Sequence, residues 1–250
     1  MSYLGNATVR RLRERARIVA SRHGRRACLR FVLRKLWYGV DPGLARLLAG
    51  DDDTFSFDGT TLQHARNRCG RTWNNERAVE IPIALAALDA TGAAPVLEIG
   101  NVLSQYRPIQ HVVVDKYEFA PGVTNIDVCD FRPQKRFALI LCISTIEHVG
   151  FDEEPRDPEK AARALTHLRG LLAPGGRMLV TFPVDYNPSL DSAVRSDRVV
   201  FDRVGFLRRM DAANRWREVG ADEAFACSYD DPYPMANAVA IGWVYGPPML

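Results

Sequence analysis

Apolar positions change their rhythm along the chain. Between residues 26 and 40, Leu29, Val32, Leu33, Leu36, Trp37 and Val40 recur at helical spacing, and the arginines fall largely on the other face. This pattern predicts an amphipathic helix, ended by Asp41-Pro42-Gly43. A shorter helix is expected over 8–20, ending near His23-Gly24, and another around 44–48. The stretch "GDDDTFSFDGTTL" is a turn-rich link with one short strand. Residues 74–89, "NNERAVEIPIALAALD", predict a helix capped by Asn74 or Asn75 and kinked at Pro82.

From residue 95 short β-rich runs alternate with helical or turn segments. The strands predicted are 95–99, 111–115, 125–127, 139–144 and 177–182, followed by two more around 224–229 and 238–245. Their apolar runs do not alternate, as expected of parallel strands buried on both faces. Between the fourth and fifth lies a helix with Asp157 as cap, Pro158 in first position, and Ala161, Leu165, Leu168 and Leu172 facing inward. "APGG" turns the chain into the next strand, and "DYNPSLD" at 185–191 reads as a loop. The fold class is α/β, an open, doubly wound, mostly parallel sheet with a helical N-terminal extension. The division expected is 1–73 for the basic extension or cap and 74–250 for the sheet domain.

Charge changes this picture only at the N-terminus. Residues 1–50 carry 12 Lys and Arg against two acids, whereas the other 200 residues carry 21 basic and 28 acidic ones. Such an arm suits nucleic acid or anionic lipid, but a solvated helix face or a docking surface for an acidic body is the favoured account, and nucleic acid is not favoured. The five cysteines are scattered, with no C-x-x-C pair, which predicts reduced, mostly buried thiols rather than a disulfide framework or zinc site. No apolar run is long enough for a membrane span, and the first residues lack a signal core; a cytoplasmic location is expected.

Open sheets of this kind bind ligands beyond the carboxyl ends of their strands. After the first predicted strand, "VLEIGNVLSQY" offers Glu98 and Gly100 for a turn with close backbone approach, but no G-x-G-x-x-G. A pyrophosphate cradle is disfavoured, and the ligand expected is nucleoside-like without phosphates. Asp115 ends the second strand, where a carboxylate accepts both hydroxyls of a ribose. Asp127 and Val128 follow the third and suit an adenine, with one hydrogen-bonding edge and one flat face. The fourth strand ends in Ser144 through His148.

In this order and spacing, "VLEIG", "VVVDKYE", "NIDVCDF", "FALILCISTIEHVG" and "LLAPGGRMLVTFPV" resemble the class I S-adenosylmethionine-dependent methyltransferases. The resemblance covers residues 95–184. It implies a seven-stranded sheet with the last strand antiparallel, S-adenosylmethionine as cofactor, Glu98 and Gly100 at its methionine end, Asp115 on the ribose, Asp127 and Val128 on the adenine, and Ser144 on the sulfonium side. The family's glycine-rich loop departs here to "EIGNVLS", with Val102 and Ser104 at the later glycine places, so Asn101 is expected to bind through its side chain. A narrower resemblance, carried by "TWNNERAVEIP" and "STIEHVGFDEEP", is to methyltransferases acting on saccharide hydroxyls, such as those maturing methylated mannose polysaccharides in actinobacteria. It implies Trp73, Glu76 and Arg77 over the cofactor, with Arg77 pairing its carboxylate.

An alcohol acceptor must lose its proton as the methyl arrives, so a base is expected. His148 stands where the acceptor would approach and is near neutral-pH poise; Glu147 is its orienting partner or a structural acid. Asp152, Glu153 and Glu154 would suit a divalent ion such as magnesium, although a solvated acidic loop before Asp157 explains them as well. Tyr186, Tyr229 and Tyr233 offer aromatic faces for a sugar. His64, His111 and His167 read as structural or exposed. The function expected is O-methylation of a small hydroxylated acceptor, a sugar. The alternatives are an inactive methyltransferase-like binding module and an RNA methyltransferase. The stripe over 29–40 hints at a homodimer.

Overall fold

The computed structural model describes residues 53–67 and 69–248. The helices expected over 8–20, 26–40 and 44–48, the basic arm, Cys28 and His23 lie outside the described residues. An N-terminal hairpin comes first, β1 (Thr54–Phe57) paired antiparallel with β2 (Thr60–Gln63). The sequence predicted one strand here; Asp58-Gly59, both at positive φ, make the two-residue turn that gives two. The main elements are then α1 (Arg77–Thr91), β3 (Val96–Ile99), β4 (Val112–Val114), β5 (Val123–Thr124), β6 (Phe137–Ile143), α2 (Lys160–Arg169), β7 (Leu172–Pro183), α3 (Pro188–Arg195), β8 (Arg203–Arg209), β9 (Trp216–Val219), α4 (Ala221–Phe225) and β10 (Ala238–Tyr245).

Eight strands form the main sheet in the order β5-β4-β3-β6-β7-β10-β8-β9. β5, β4, β3, β6 and β7 are mutually parallel, and the last strand, β10, runs antiparallel to both β7 and β8. This is the seven-stranded order with an eighth strand, β9, added antiparallel at one edge. The chain leaves β3 toward β4 and β5, then returns to place β6 on the other side. The ends of β3 and β6 are therefore the topological switch point, where such sheets open a crevice.

Both faces of the sheet are covered, which is why the sequence shows no alternation. Leu139, Leu141 and Ile143 of β6 pack with Ala78, Val79, Ile81 and Ala84 of α1. Ile140 and Cys142 point the other way, into a layer that includes Leu165 and Leu168 of α2 and Leu190 of α3. Burying each such side chain contributes roughly 1.5–3 kcal/mol. Proline at position 82 leaves the carbonyl of Ala78 without its helical donor. The N–H of Ala65 fills that place at 2.8 Å, and α1 continues to Thr91.

Several predicted boundaries are corrected. The strand expected at 125–127 lies at Val123–Thr124. Asn125 is diverted because its amide donates to the carbonyls of Asp115 and Glu118 at 2.9 and 2.8 Å, and Asp127 caps the following turn by accepting from Cys129 N–H at 3.0 Å. The strand expected at 224–229 is instead the last two residues of α4, whose first turn carries Asp222 and Glu223 at the favourable pole, followed by a turn with an isolated bridge at Ser228. The loop expected at 185–191 contains the start of α3, with Asn187 as its cap and Pro188 in the first turn. Leu172 and "APGG" belong to β7, entered through a shift of register between Phe137 and Leu139 on β6. The helix after Asp157 starts at Lys160; Asp157 accepts from Glu159 N–H at 3.1 Å one turn earlier. The strands β8 and β9 were missed. Among the described cysteines, all are free thiols; Cys142 is buried, Cys129 and Cys227 half-buried, and Cys69 exposed.

Candidate active site

The crevice between β3 and β6 is built on two turns that touch. Gly100, after β3, has φ +84°, and a Cβ there would lie 2.3 Å from the hydroxyl oxygen of Thr145, after β6. Only glycine permits this approach. Glu98, expected at the methionine end, is fully buried beneath the loop. Its Oε1 accepts from the N–H groups of Val102 and Leu103, both at 2.8 Å, and its Oε2 meets His111 Nε2 at 2.6 Å. Glu98 therefore shapes "GNVL" from below, and His111 has a structural partner. Asn101 N–H reaches Asp115 Oδ2 at 3.3 Å, while the Asn101 side chain donates to Glu118 at 2.7 Å. Asp115 Oδ1 accepts from Tyr117 and Glu118 N–H groups, each at 2.8 Å.

At the next strand end Asp127 lies in a four-charge ring. Its Oδ2 accepts from Lys116 Nζ at 2.9 Å and from Lys160 Nζ, and both lysines also reach Glu153 Oε2. Partial burial alone would raise the Asp127 pKa; the hydrogen bonds from Lys160 and Lys116 outweigh it and bring it down to about 2. Glu153 is lowered by the same balance. Val128 is buried beside them. Among the described residues no group of three or more His, Cys, Asp or Glu is arranged to hold a metal ion, and Glu153 faces cations already.

Ser144, at the end of β6, has φ +38° and is buried. Its hydroxyl donates to Glu80 Oε1 at 2.6 Å. Arg77 turns to the same strand end, donating to the carbonyl of Ile143 at 3.1 Å, with its Nε 3.7 Å from Glu80 Oε2. Burial raises the Glu80 pKa against the pull of Arg77. Glu76 accepts from Ala236 N–H at 3.3 Å. The importance of Glu80 was missed in the sequence; its position three residues after Arg77 was the available signal.

His148 closes the turn Ile146–His148. Its Nδ1 lies 2.6 Å from Asp152 Oδ2, and the Tyr186 hydroxyl donates to that same oxygen at 2.7 Å while standing 3.1 Å from Nδ1. Nε2 lies 3.6 Å from Glu147 Oε1. Burial lifts the Glu147 carboxyl, against the lowering effect of His148, to about 7. The ring of Tyr186 meets His148 edge-on at 4.9 Å, Tyr229 at 5.2 Å and Phe151 at 5.9 Å. Asn187 sets this arrangement. Its side-chain oxygen caps α3, and its amide donates to the carbonyl of Glu147 at 2.9 Å. The β7–α3 turn is thereby fastened to the β6 turn, with Tyr186 between them. Asp152, considered in the sequence as a metal ligand, is the histidine's partner; the His-to-Asp spacing of four was the signal. Tyr233 is held apart, under the Arg209 guanidinium. His64 pairs with Asp53 at 2.9 Å, and His167 with the carbonyl of Phe131 at 2.8 Å.

A cavity of about 740 Å³ opens at the amino ends of β3 and β4, lined by residues such as Asp89, Pro95, Arg107, His111 and Lys135. None of the candidate residues lines it. The titratable groups of the candidate site converge at the other end of the strands.

No family model matches the chain, and no curated protein does. Similar solved structures include an N-methyltransferase NodS from Bradyrhizobium japonicum WM9 in complex with S-adenosyl-L-homocysteine, at 14% identity and TM-score 0.44, covering 69% of this chain and 87% of that one. A SAM dependent methyltransferase from Archaeoglobus fulgidus gives 14%, 0.42, 67% and 92% in the same terms. The magnesium protoporphyrin IX methyltransferase from Synechocystis PCC 6803 with bound SAM gives 11%, 0.38, 85% and 96%. Likeness at this level speaks to neither substrate nor chemistry.

Proposed function

We propose that this chain is an S-adenosylmethionine-dependent O-methyltransferase that acts on a small hydroxylated acceptor, a saccharide. The observation that carries the reading is the position of the His148–Asp152–Tyr186 group at the switch point of the sheet, beside the turn where Gly100 meets Thr145. The residues present fit the cofactor. Gly100 lets the turn after β3 pack directly on Thr145 at the switch point, and Asp115 and Asp127 place carboxylates beyond the ends of successive strands for a ribose and a base. The cofactor, when bound, supplies an electrophilic methyl on sulfur.

The chain's own residues do the rest. Asp115 and Asp127 hold the nucleoside, with Val128 against its flat face and Asn101 and Gly100 shaping the near wall. Asp127 is ionised throughout the physiological range, so it accepts hydrogen bonds only. Asp152 accepts from His148 Nδ1–H and thereby fixes the neutral ring's lone pair on Nε2. Nε2 would take the acceptor's hydroxyl proton and so free the oxygen lone pair for the methyl that the cofactor would supply. His148 would be left protonated. Glu147, 3.6 Å from Nε2, stabilises that imidazolium when ionised. Tyr186 and Tyr229 present aromatic faces at this mouth, the surface on which a sugar ring stacks.

Calorimetric titration with S-adenosylhomocysteine beside NAD tests the cofactor. Micromolar binding of the first alone is expected; binding of neither supports the reading as an inactive module. Sugar acceptors are then screened for methyl transfer with and without magnesium. Affinity for RNA that falls steeply with salt would transfer the acceptor to nucleic acid.

A further inference from the structure

Two neighbouring carboxylates after β6 reach opposite ends of the proposed site. Asp152 Oδ2 holds His148 Nδ1 at 2.6 Å. Glu153 Oε2, one residue on, accepts from Lys116 Nζ at 3.1 Å and from Lys160 Nζ. The same two ammonium groups bind Asp127 Oδ2. Lys116 follows Asp115 directly, and Lys160 opens α2. A run of charged hydrogen bonds therefore leads from Asp127 through two lysines to Glu153, and one peptide unit further to Asp152 and His148.

We propose that Glu153 and Lys160 are positioning residues that couple occupancy of the nucleoside end to the placement of His148 at the acceptor end. This rests on the functional reading above, in which Asp127 contacts the nucleoside and His148 the acceptor. Asp127 Oδ2 already accepts from both ammonium groups. A donor arriving there from a nucleoside base displaces one of them, and the displaced group's remaining carboxylate is Glu153. The displaced ammonium is then held by Glu153 alone, and the Glu153 side chain shifts with it. Asp152 is the preceding residue, its α-carbon about 3.8 Å away across one planar peptide, so a shift of the Glu153 backbone reaches it. The link is shielded enough to transmit: the side chains of Lys160, Glu153 and Asp127 are 14%, 14% and 15% exposed, far from the open-surface pairs that contribute little.

The test is the NMR titration of the His148 imidazole in the full chain, with and without saturating S-adenosylhomocysteine, the signal assigned by its loss in His148→Gln. In the wild type, bound product should move the His148 midpoint by about half a pH unit, a roughly threefold change in proton affinity. Glu153→Gln, which keeps shape and removes charge, and Lys160→Met, which cuts the link from its other side, should each bind product without that movement. An equal movement in both variants overturns the inference. A wild-type midpoint indifferent to bound product also overturns it, and leaves the functional reading standing. A wild type that binds no product removes the functional reading and this inference together.

Discussion

His148 has Asp152 on Nδ1 and Glu147 behind Nε2, so each neighbour has its own measurable consequence. Replacing His148 by Ala should cut methyl transfer to the acceptor by ~10²–10⁴ while leaving affinity for S-adenosylhomocysteine nearly unchanged. Asp152→Asn keeps the shape but lets the ring choose the other tautomer. Its kcat should fall by ~10² or more with little change in acceptor KM; an unchanged kcat would reduce Asp152 to a surface partner. Gly100→Ala is expected to weaken product binding at least tenfold by calorimetry, because φ +84° and the Thr145 contact both oppose a side chain. Circular dichroism would show the sheet retained.

At the scale of elements, Asn187 joins two strand ends. Asn187→Ala removes the cap of α3 and the bond to Glu147, and should lower stability by about 1–3 kcal/mol in thermal unfolding. How such elements were read from sequence follows from their surroundings. β3, β4, β6 and the core of β7 were legible because burial on both faces writes an unbroken apolar run. β8, "RVGFLRR", was not: it lies near the sheet's edge with exposed residues among its buried ones, and its arginines resemble a loop. "AFACSY" has strand composition, but Gly220 and two acids before it start a helix. "DYNPSLD" reads as a loop by its short polar composition, and only Asn187 and Pro188 mark the helix start within it. At the site, the strand-end acids were visible as residues, whereas their partners were not. Nothing in linear order announces that Glu98 turns inward to His111, or that two lysines meet over Asp127.

Over the whole molecule, the buried carboxyls give stability a pH dependence of definite sign. Burial holds Glu147 and Asp191 at about 7 in the fold, above the ordinary carboxylate range. The folded state therefore binds these protons more tightly than the unfolded chain. Their effect is fully stabilising below about pH 4 and fades as pH rises toward 7. Glu80 acts in the same direction, whereas His64, lowered by burial, opposes it below its ordinary value. Comparing Glu147→Gln/Asp191→Asn with wild type isolates the two acids. The variant's Tm advantage should grow between pH 5 and pH 8, and a constant difference would remove the titration. No helix among the described residues is long and apolar enough to cross a membrane. The margins of the sheet carry one more consequence. β5 offers only two residues, and β9 offers four, with Arg217 and Glu218 exposed. The hairpin closes over that side, Asp58 N–H meeting Glu218 at 3.0 Å and Phe57 filling the space beside Gly205. Neither margin provides a template for another chain's backbone, so crowding the protein in solution should not nucleate fibrils from this sheet.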